Sequence, residues 1–229
     1  MLWWYALLSI TDMLALWLQW PWLHSILKPL LMPALAVTYL WHCRQHLKKP
    51  SNGLLLALGL AWLGDILLLF AHLGTGFFIG GLSAFLLMQV AYARLFFIQS
   101  PRSNHKILRL SILAFAILDL VTILMVYLWP SLGTMLVPVL VYAIAISVML
   151  FAACYNGLNR SSRHYFSGMG IGGALLFVLS DSILAIQHFR PVYDTATGDV
   201  LIMATYTAAQ ALIIFHLSKP VTQRVLLVS

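Results

Sequence analysis

An all-α, polytopic membrane fold of eight transmembrane helices is what this sequence predicts, and three observations predict it. Hydrophobic residues fill 62% of the 229 positions and charged residues only 8%, at a mean hydropathy of +0.94. Soluble domains carry roughly 25% charged residues, so the solvent for this much apolar surface is lipid. The apolar residues also fall in eight stretches, near 2–20, 23–42, 53–71, 77–99, 107–129, 132–155, 165–189 and 199–218. Each approaches the roughly 20 residues that cross a bilayer at about 1.5 Å rise per residue. Third, the bases are sorted. With both termini cytoplasmic, Arg44, Lys48, Lys49, Arg94, Arg102, Lys106, Arg109, Arg160, Arg163, Lys219 and Arg224 lie inside, and only Lys28 and Arg190 lie outside. That bias is the positive-inside signal, and it requires an even number of crossings.

The first stretch opens Met1-Leu2-Trp3-Trp4, with no basic leader and no small-residue cleavage site. It is expected to be a retained helix, not a signal peptide. The second follows Trp20-Pro21 and carries Lys28-Pro29; the third holds Asp65, and the fourth Gln89 and Tyr92. The fifth holds Asp119 and ends at Trp129-Pro130, the sixth is almost wholly apolar, the seventh holds Asp181, and the eighth holds Tyr206 and Gln210. Residues 219–229 are expected to form a short cytoplasmic tail, with no soluble domain anywhere in 1–229. Trp20, Trp22, Trp41 and Trp129 sit at expected helix ends, where indoles favour the lipid–water interface.

The landmarks repeat. Trp20-Pro21 recurs as Trp129-Pro130, Pro29 as Pro138, Asp12 as Asp119, Asp65 as Asp181 and Gln89 as Gln210. Their order is kept, which predicts a parallel 4+4 duplication with halves 1–103 and 104–218. Helices three and seven would then face each other and bring Asp65 and Asp181 together.

The formal charge of +7 does not point to nucleic acid, because the bases cluster between apolar blocks rather than along one polar face. Two cysteines, Cys43 and Cys154, are too few for a disulfide framework and match no metal spacing. The histidines, His24, His42, His46, His72, His105, His164, His188 and His216, fall in loops or near helix ends, so no zinc centre and no other metal is expected. Gly81-Leu82-Ser83-Ala84-Phe85 lacks the second glycine of a nucleophile elbow. Neither a Walker A nor a dinucleotide fingerprint occurs, and no organic cofactor is expected.

The chemistry therefore rests on polar groups in hydrocarbon. A charged side chain there costs roughly 2.5–3.5 kcal/mol, so each needs a reason. Asp65 lies roughly 18 Å and Asp181 roughly 24 Å from the cytoplasmic face, and Lys28 roughly 8 Å from the other side. All three fall in the outer half. Two buried carboxyls that hold one proton between them supply a general acid and a general base from one residue type. Lys28 can meet a carboxylate or a lipid phosphate. Gln89 with Tyr92, and Tyr206 with Gln210, each share a helix face and offer neutral donors. Gly64 and Ser180 precede the acids and, with Gly168, Gly170, Gly172 and Gly173, permit close helix approach. Asp12 and Asp119 are expected to be structural or at the rim, with Ser9 and Thr122 as partners. Asp194 and Asp199 are expected in a solvated loop.

At these residues the sequence resembles the YhhN family of membrane lysoplasmalogenases. Lys28-Pro29-Leu30 with Met32, Trp62-Leu63-Gly64-Asp65, Gly173-Ala174-Leu175-Leu176-Phe177 leading to Ser180-Asp181-Ser182, and Tyr206 with Ala209-Gln210 carry the resemblance. It implies eight helices and hydrolysis of the vinyl ether bond of a lysophospholipid to a fatty aldehyde and a glycerophospho-base. Asp65 and Asp181 would then be catalytic, with Lys28, Gln89, Tyr92, Tyr206 and Gln210 on the substrate or water. One position departs: where the family pattern resembles Phe-x-x-x-His-x-x-Tyr, this chain reads Phe85-Leu86-Leu87-Met88-Gln89-Val90-Ala91-Tyr92. Glutamine hydrogen-bonds but does not shuttle protons at neutral pH. The expected partners are a lysophospholipid and the bilayer, and the expected location is a bacterial inner membrane. A proton-coupled small-solute transporter and a non-catalytic lipid-binding protein are the alternative classes.

Overall fold

The computed structural model describes residues 2–47, 49–100, 107–159, 167–192 and 194–218, and all regular structure among them is helical. Eight α-helices follow in order: α1 (Leu2–Trp17), α2 (Pro21–Gln45), α3 (Asn52–Leu69), α4 (Thr75–Ile98), α5 (Ile107–Leu132), α6 (Leu136–Asn159), α7 (Ser167–Phe189) and α8 (Thr195–Leu217). Single 3₁₀ turns, Ala71–Leu73 and Gly133–Met135, lead into α4 and α6. Lys48, Arg102, Lys106, Arg160, Arg163, Lys219 and Arg224, part of the charge bias above, lie outside the described residues, as does the tail 219–229.

Helices α2, α3, α4, α7 and α8 are each long and apolar enough to cross a membrane, and so is the stretch Arg109–Leu158, which runs through both α5 and α6. Helix α1 falls short. Its 16 residues reach about 24 Å, against a hydrocarbon core of about 30 Å. It stops early because Gln19 takes φ +55° and the chain turns sharply there. Pro21 then opens α2 at a position where a missing N–H leaves no bond unmade.

Consecutive helices pack on one another within 2–45 to 75–98 and within 107–132 to 195–217, and α4 on α6 and α1 and α2 on α8 join the two groups. Helix α5 is peripheral, against α6 and the edge of α7. Its outer face is an apolar carpet that includes Phe115, Ile123, Val126 and Trp129; such surface is stable only in lipid. The main core runs through Leu31, Leu35, Ala61, Met88, Tyr92, Phe177 and Ile213. Cys43 and Cys154 are buried and unbridged.

Small residues set two close crossings. A Cβ on Gly64 would stand 2.9 Å from the Phe85 ring, and one on Gly173 would stand 2.8 Å from Ile213 Cγ1 and 3.1 Å from the Ala209 carbonyl. Ser180 continues the second seam by donating to the Ile202 carbonyl on α8 at 3.1 Å. Gly170 meets His216, whereas Gly168 and Gly172 face open space. Half of the glycine run is thus packing, and half is not.

Candidate active site

Each intramembrane acid is held by donors from other helices. Asp65, on the fourteenth residue of α3, is 2% exposed and accepts from the Tyr206 hydroxyl of α8 at 2.9 Å. Asp181 on α7 accepts on one oxygen from the Tyr142 hydroxyl of α6 at 2.5 Å and from Gln89 Nε2 of α4 at 3.2 Å. An ionisable group in hydrocarbon survives only with such partners.

The expected meeting of the two acids takes a different form. Helices α3 and α7 are not among the closely packed pairs of the described residues, because the rings of Phe85, Phe177 and Tyr206 fill the space between the helix pairs. Phe85 and Phe177 each meet Tyr206 edge-on at 5.8 Å. The acids occupy two hydrogen-bonded nodes, one on each side of this aromatic cluster.

The other expected site residues divide between the nodes and the frame. Tyr206 and Gln89 each bind an acid, as the last helices of the two halves were expected to do. Tyr92 instead donates to Gln210 Oε1 at 2.6 Å, and Gln210 turns its amide to Met88 Sδ at 3.3 Å. These two residues satisfy each other and tie α4 to α8. Lys28 is part-buried on α2 and acts through space on Asp65.

Above the acids lies a cavity of about 430 Å³, lined by His24, Lys28, His72, Phe78, His188 and Asp199 among others. Its floor includes Leu68 and Leu184, one helical turn beyond Asp65 and Asp181. Two smaller crevices of about 40 and 60 Å³ reach Asp181 from the side, both walled by Val139 and Ala185. Asp181 is accordingly part-exposed where Asp65 is closed off.

Several of these residues escaped the sequence reading. Tyr142 is a phenol deep in an apolar helix whose other tyrosine, Tyr155, lies near its far end, and that depth was the available signal. Asp12 was expected beside Ser9; Ser9 instead bonds the Tyr5 carbonyl, and the wholly buried Asp12 pairs with His24 Nδ1 at 2.8 Å. A histidine–carboxylate pair therefore does exist within the bundle, joining α1 to α2. Asp199 is not in a loop but in the second turn of α8, part-buried at the cavity. Asp194 is exposed as expected, and it caps α8 by accepting from the Thr197 amide at 3.0 Å. Hydrogen bonding from the Thr197 side chain, and then from its amide, holds the Asp194 carboxyl below the usual aspartate range. Asp119 is exposed on the outer side of α5, and Thr122 faces an apolar groove between α5 and α6.

At the opposite end, Asn156 donates to the Phe96 carbonyl at 2.9 Å and to Ser100 at 3.2 Å, and its Oδ1 meets buried His216 Nε2 at 2.9 Å. Gln99 donates to the Leu217 carbonyl at 3.0 Å. These bonds knit the ends of α4, α6 and α8 together.

No curated protein and no solved structure matches the chain. The model of one family does, and it covers most of the sequence, from the third residue of the cavity-bearing α2 onward to the end of α8. With the acids, the lysine and the tyrosine of its motifs placed in or beside one cavity system, the chain belongs to the YhhN family, matched over residues 23–217.

Proposed function

We propose that the protein hydrolyses the vinyl ether bond of a lysophospholipid, without metal or organic cofactor. Two acids of unlike environment beneath one polar cavity are the observation that carries this reading. A vinyl ether is cleaved by proton transfer to its β-carbon. The resulting oxocarbenium ion takes water, and the hemiacetal collapses to a fatty aldehyde and a free glycerol hydroxyl. In this reading Asp65, enclosed and bonded to Tyr206, is the proton donor. Asp181, on which two donors converge, suits the negative role of steadying the cation and steering water. Lys28 meets the phosphate, while the bonded pair Tyr92–Gln210 braces α4 and α8 around the reacting end. The apolar crevices beside Asp181 take the start of the hydrocarbon chain. Entry requires Leu68 or Leu184 to rotate, since they stand between the cavity and the acids.

The same proposal includes eight membrane crossings with both termini cytoplasmic in a bacterial inner membrane. Helix α1 would cross with local thinning of the bilayer. It also includes a 4+4 repeat, in which each acid draws a donor from the last helix of the other half.

Purified protein in detergent, given lysoplasmenylethanolamine and its saturated alkyl-ether analogue, tests the activity. Aldehyde from the vinyl ether alone, lost in Asp65→Asn and in Asp181→Asn, is the expected result. Well-folded protein that releases none sinks this reading in favour of transport or lipid binding.

A further inference from the structure

The cavity above the acids holds charges of both signs that do not touch. Lys28 and His24 act through space on Asp199, yet among the described residues neither forms an ion pair with it; His24 bonds Asp12 instead. A lysine and a carboxylate lining one cavity ordinarily close on each other, because contact recovers part of what each loses on leaving water. Here they stand on two separate helices, α2 and α8, and do not meet. Lys28 stands two turns into α2, just before the Pro29 and Pro33 that fix its course. Asp199 stands on α8, whose start is pinned by the Asp194 cap and by Gly198, where a Cβ would lie 2.7 Å from the Gln187 side chain of α7. Asp12 occupies Nδ1 of His24, so only Nε2 remains to meet a ligand.

We propose that this cavity is a zwitterion site, with a phosphate between Lys28 and His24 and the ammonium of the same molecule on Asp199. The gap between unlike charges is then the space for a headgroup that carries both. Each protein charge gains its partner from the ligand, and a purely anionic headgroup is disfavoured because it sets Asp199 against a like charge. The proposal rests on the lysophospholipid reading and makes Asp199 its specificity determinant. The same chemistry is presented by a lipid headgroup and by a soluble glycerophospho-amine.

Binding tests it without catalysis. Full-length protein in detergent is titrated with a saturated alkyl-ether lysophosphoethanolamine, with the matching lysophosphatidate that lacks the amine, and with glycerophosphoethanolamine. The wild type is expected to favour the amine-bearing lipid by about tenfold. Asp199→Asn is expected to abolish that ratio while lysophosphatidate binds as well or better, and Asp199→Glu to keep it. Lys28→Met is expected to weaken both lipids. Each ratio is read on one sample, so a partly folded variant still reports it. Equal binding of both lipids by the wild type, or equal losses for both in Asp199→Asn, overturns the proposal. Glycerophosphoethanolamine bound with the same Asp199 dependence supports it and identifies a soluble source; lipid binding alone identifies the membrane. These probes carry no vinyl ether, so failure to release aldehyde leaves the result standing.

Discussion

The indole Nε1 of Trp62 on α3 donates a 2.9 Å hydrogen bond to the carbonyl oxygen of Pro29 on α2. That carbonyl would ordinarily accept the amide four residues on, but residue 33 is a proline and has none. Two motifs that look separate in sequence, Lys28-Pro29 and Trp62-Leu63-Gly64-Asp65, are therefore one structural device. The loosened turn of α2 that presents Lys28 is tied to the helix that carries Asp65. Trp62→Phe keeps the ring and removes the donor. Thermal unfolding in detergent is expected to show a loss of about 1 kcal/mol, while Trp62→His is expected to fall between the two.

Gln89 donates to Asp181, and among the described residues its own Oε1 has no partner. Gln89→His keeps a donor at this position and adds a group that exchanges protons near neutrality. Aldehyde release is expected to rise above wild type, with a steeper pH profile between pH 6 and about 7. Gln89→Leu leaves Asp181 with Tyr142 alone and is expected to lower release about tenfold or more, as loss of one electrostatic donor does. Equal rates in all three proteins would remove Gln89 from the site.

The sequence displayed much of this arrangement, for reasons that differ by residue. Helices were legible because apolar runs of membrane length have few other meanings, and Asp65 and Asp181 because carboxyls in such runs are conspicuous. Tyr206 was legible by its helical spacing from Gln210. The partner of each group was not. Tyr142, His24 and Asp199 reach the acids and the cavity only through the crossing of helices far apart in sequence, and no local spacing records a crossing. The edge-on packing of Phe85, Phe177 and Tyr206 likewise depends on Gly64 admitting Phe85. Helix α1 was drawn too long because Gln19 resembles any polar helix end until its positive φ is seen.

Asn156 is fully buried and satisfies Phe96, Ser100 and His216 at once. Asn156→Leu matches its volume roughly but removes the partner of His216 Nε2 and the donor to the Phe96 carbonyl. A stability loss of about 1–3 kcal/mol is expected, read by thermal melting. Aldehyde release per folded molecule is expected to stay the same, since the acids lie toward the other end.

Asp194 offers a test in water rather than lipid. Its carboxyl is held low by the Thr197 side chain and amide, so the cap is present above the ordinary aspartate value of about 3.9. It is lost as pH falls through the lower folded value. Amide exchange at Thr197 and Gly198 is expected to accelerate only under strongly acidic conditions. Asp194→Asn, itself a good cap, is expected to abolish the pH dependence, and Asp194→Ala to give fast exchange at every pH.

The Asn156–His216 knot has a consequence for traffic. Among the described residues, one mouth of the bundle is laced by Asn156 of α6, His216 of α8 and the Gln99 and Ser100 that follow α4, while the other opens on a charged basin above the acids. On the lysophospholipid reading proposed above, a bundle so built is a one-sided trap: lipid monomers shed into the leaflet at the open mouth are within its reach, and those in the opposite leaflet must first flip. The molecule would then act as a sentry for one face of the membrane, and the rate at which lipids change sides, rather than their total amount, would set how many it meets.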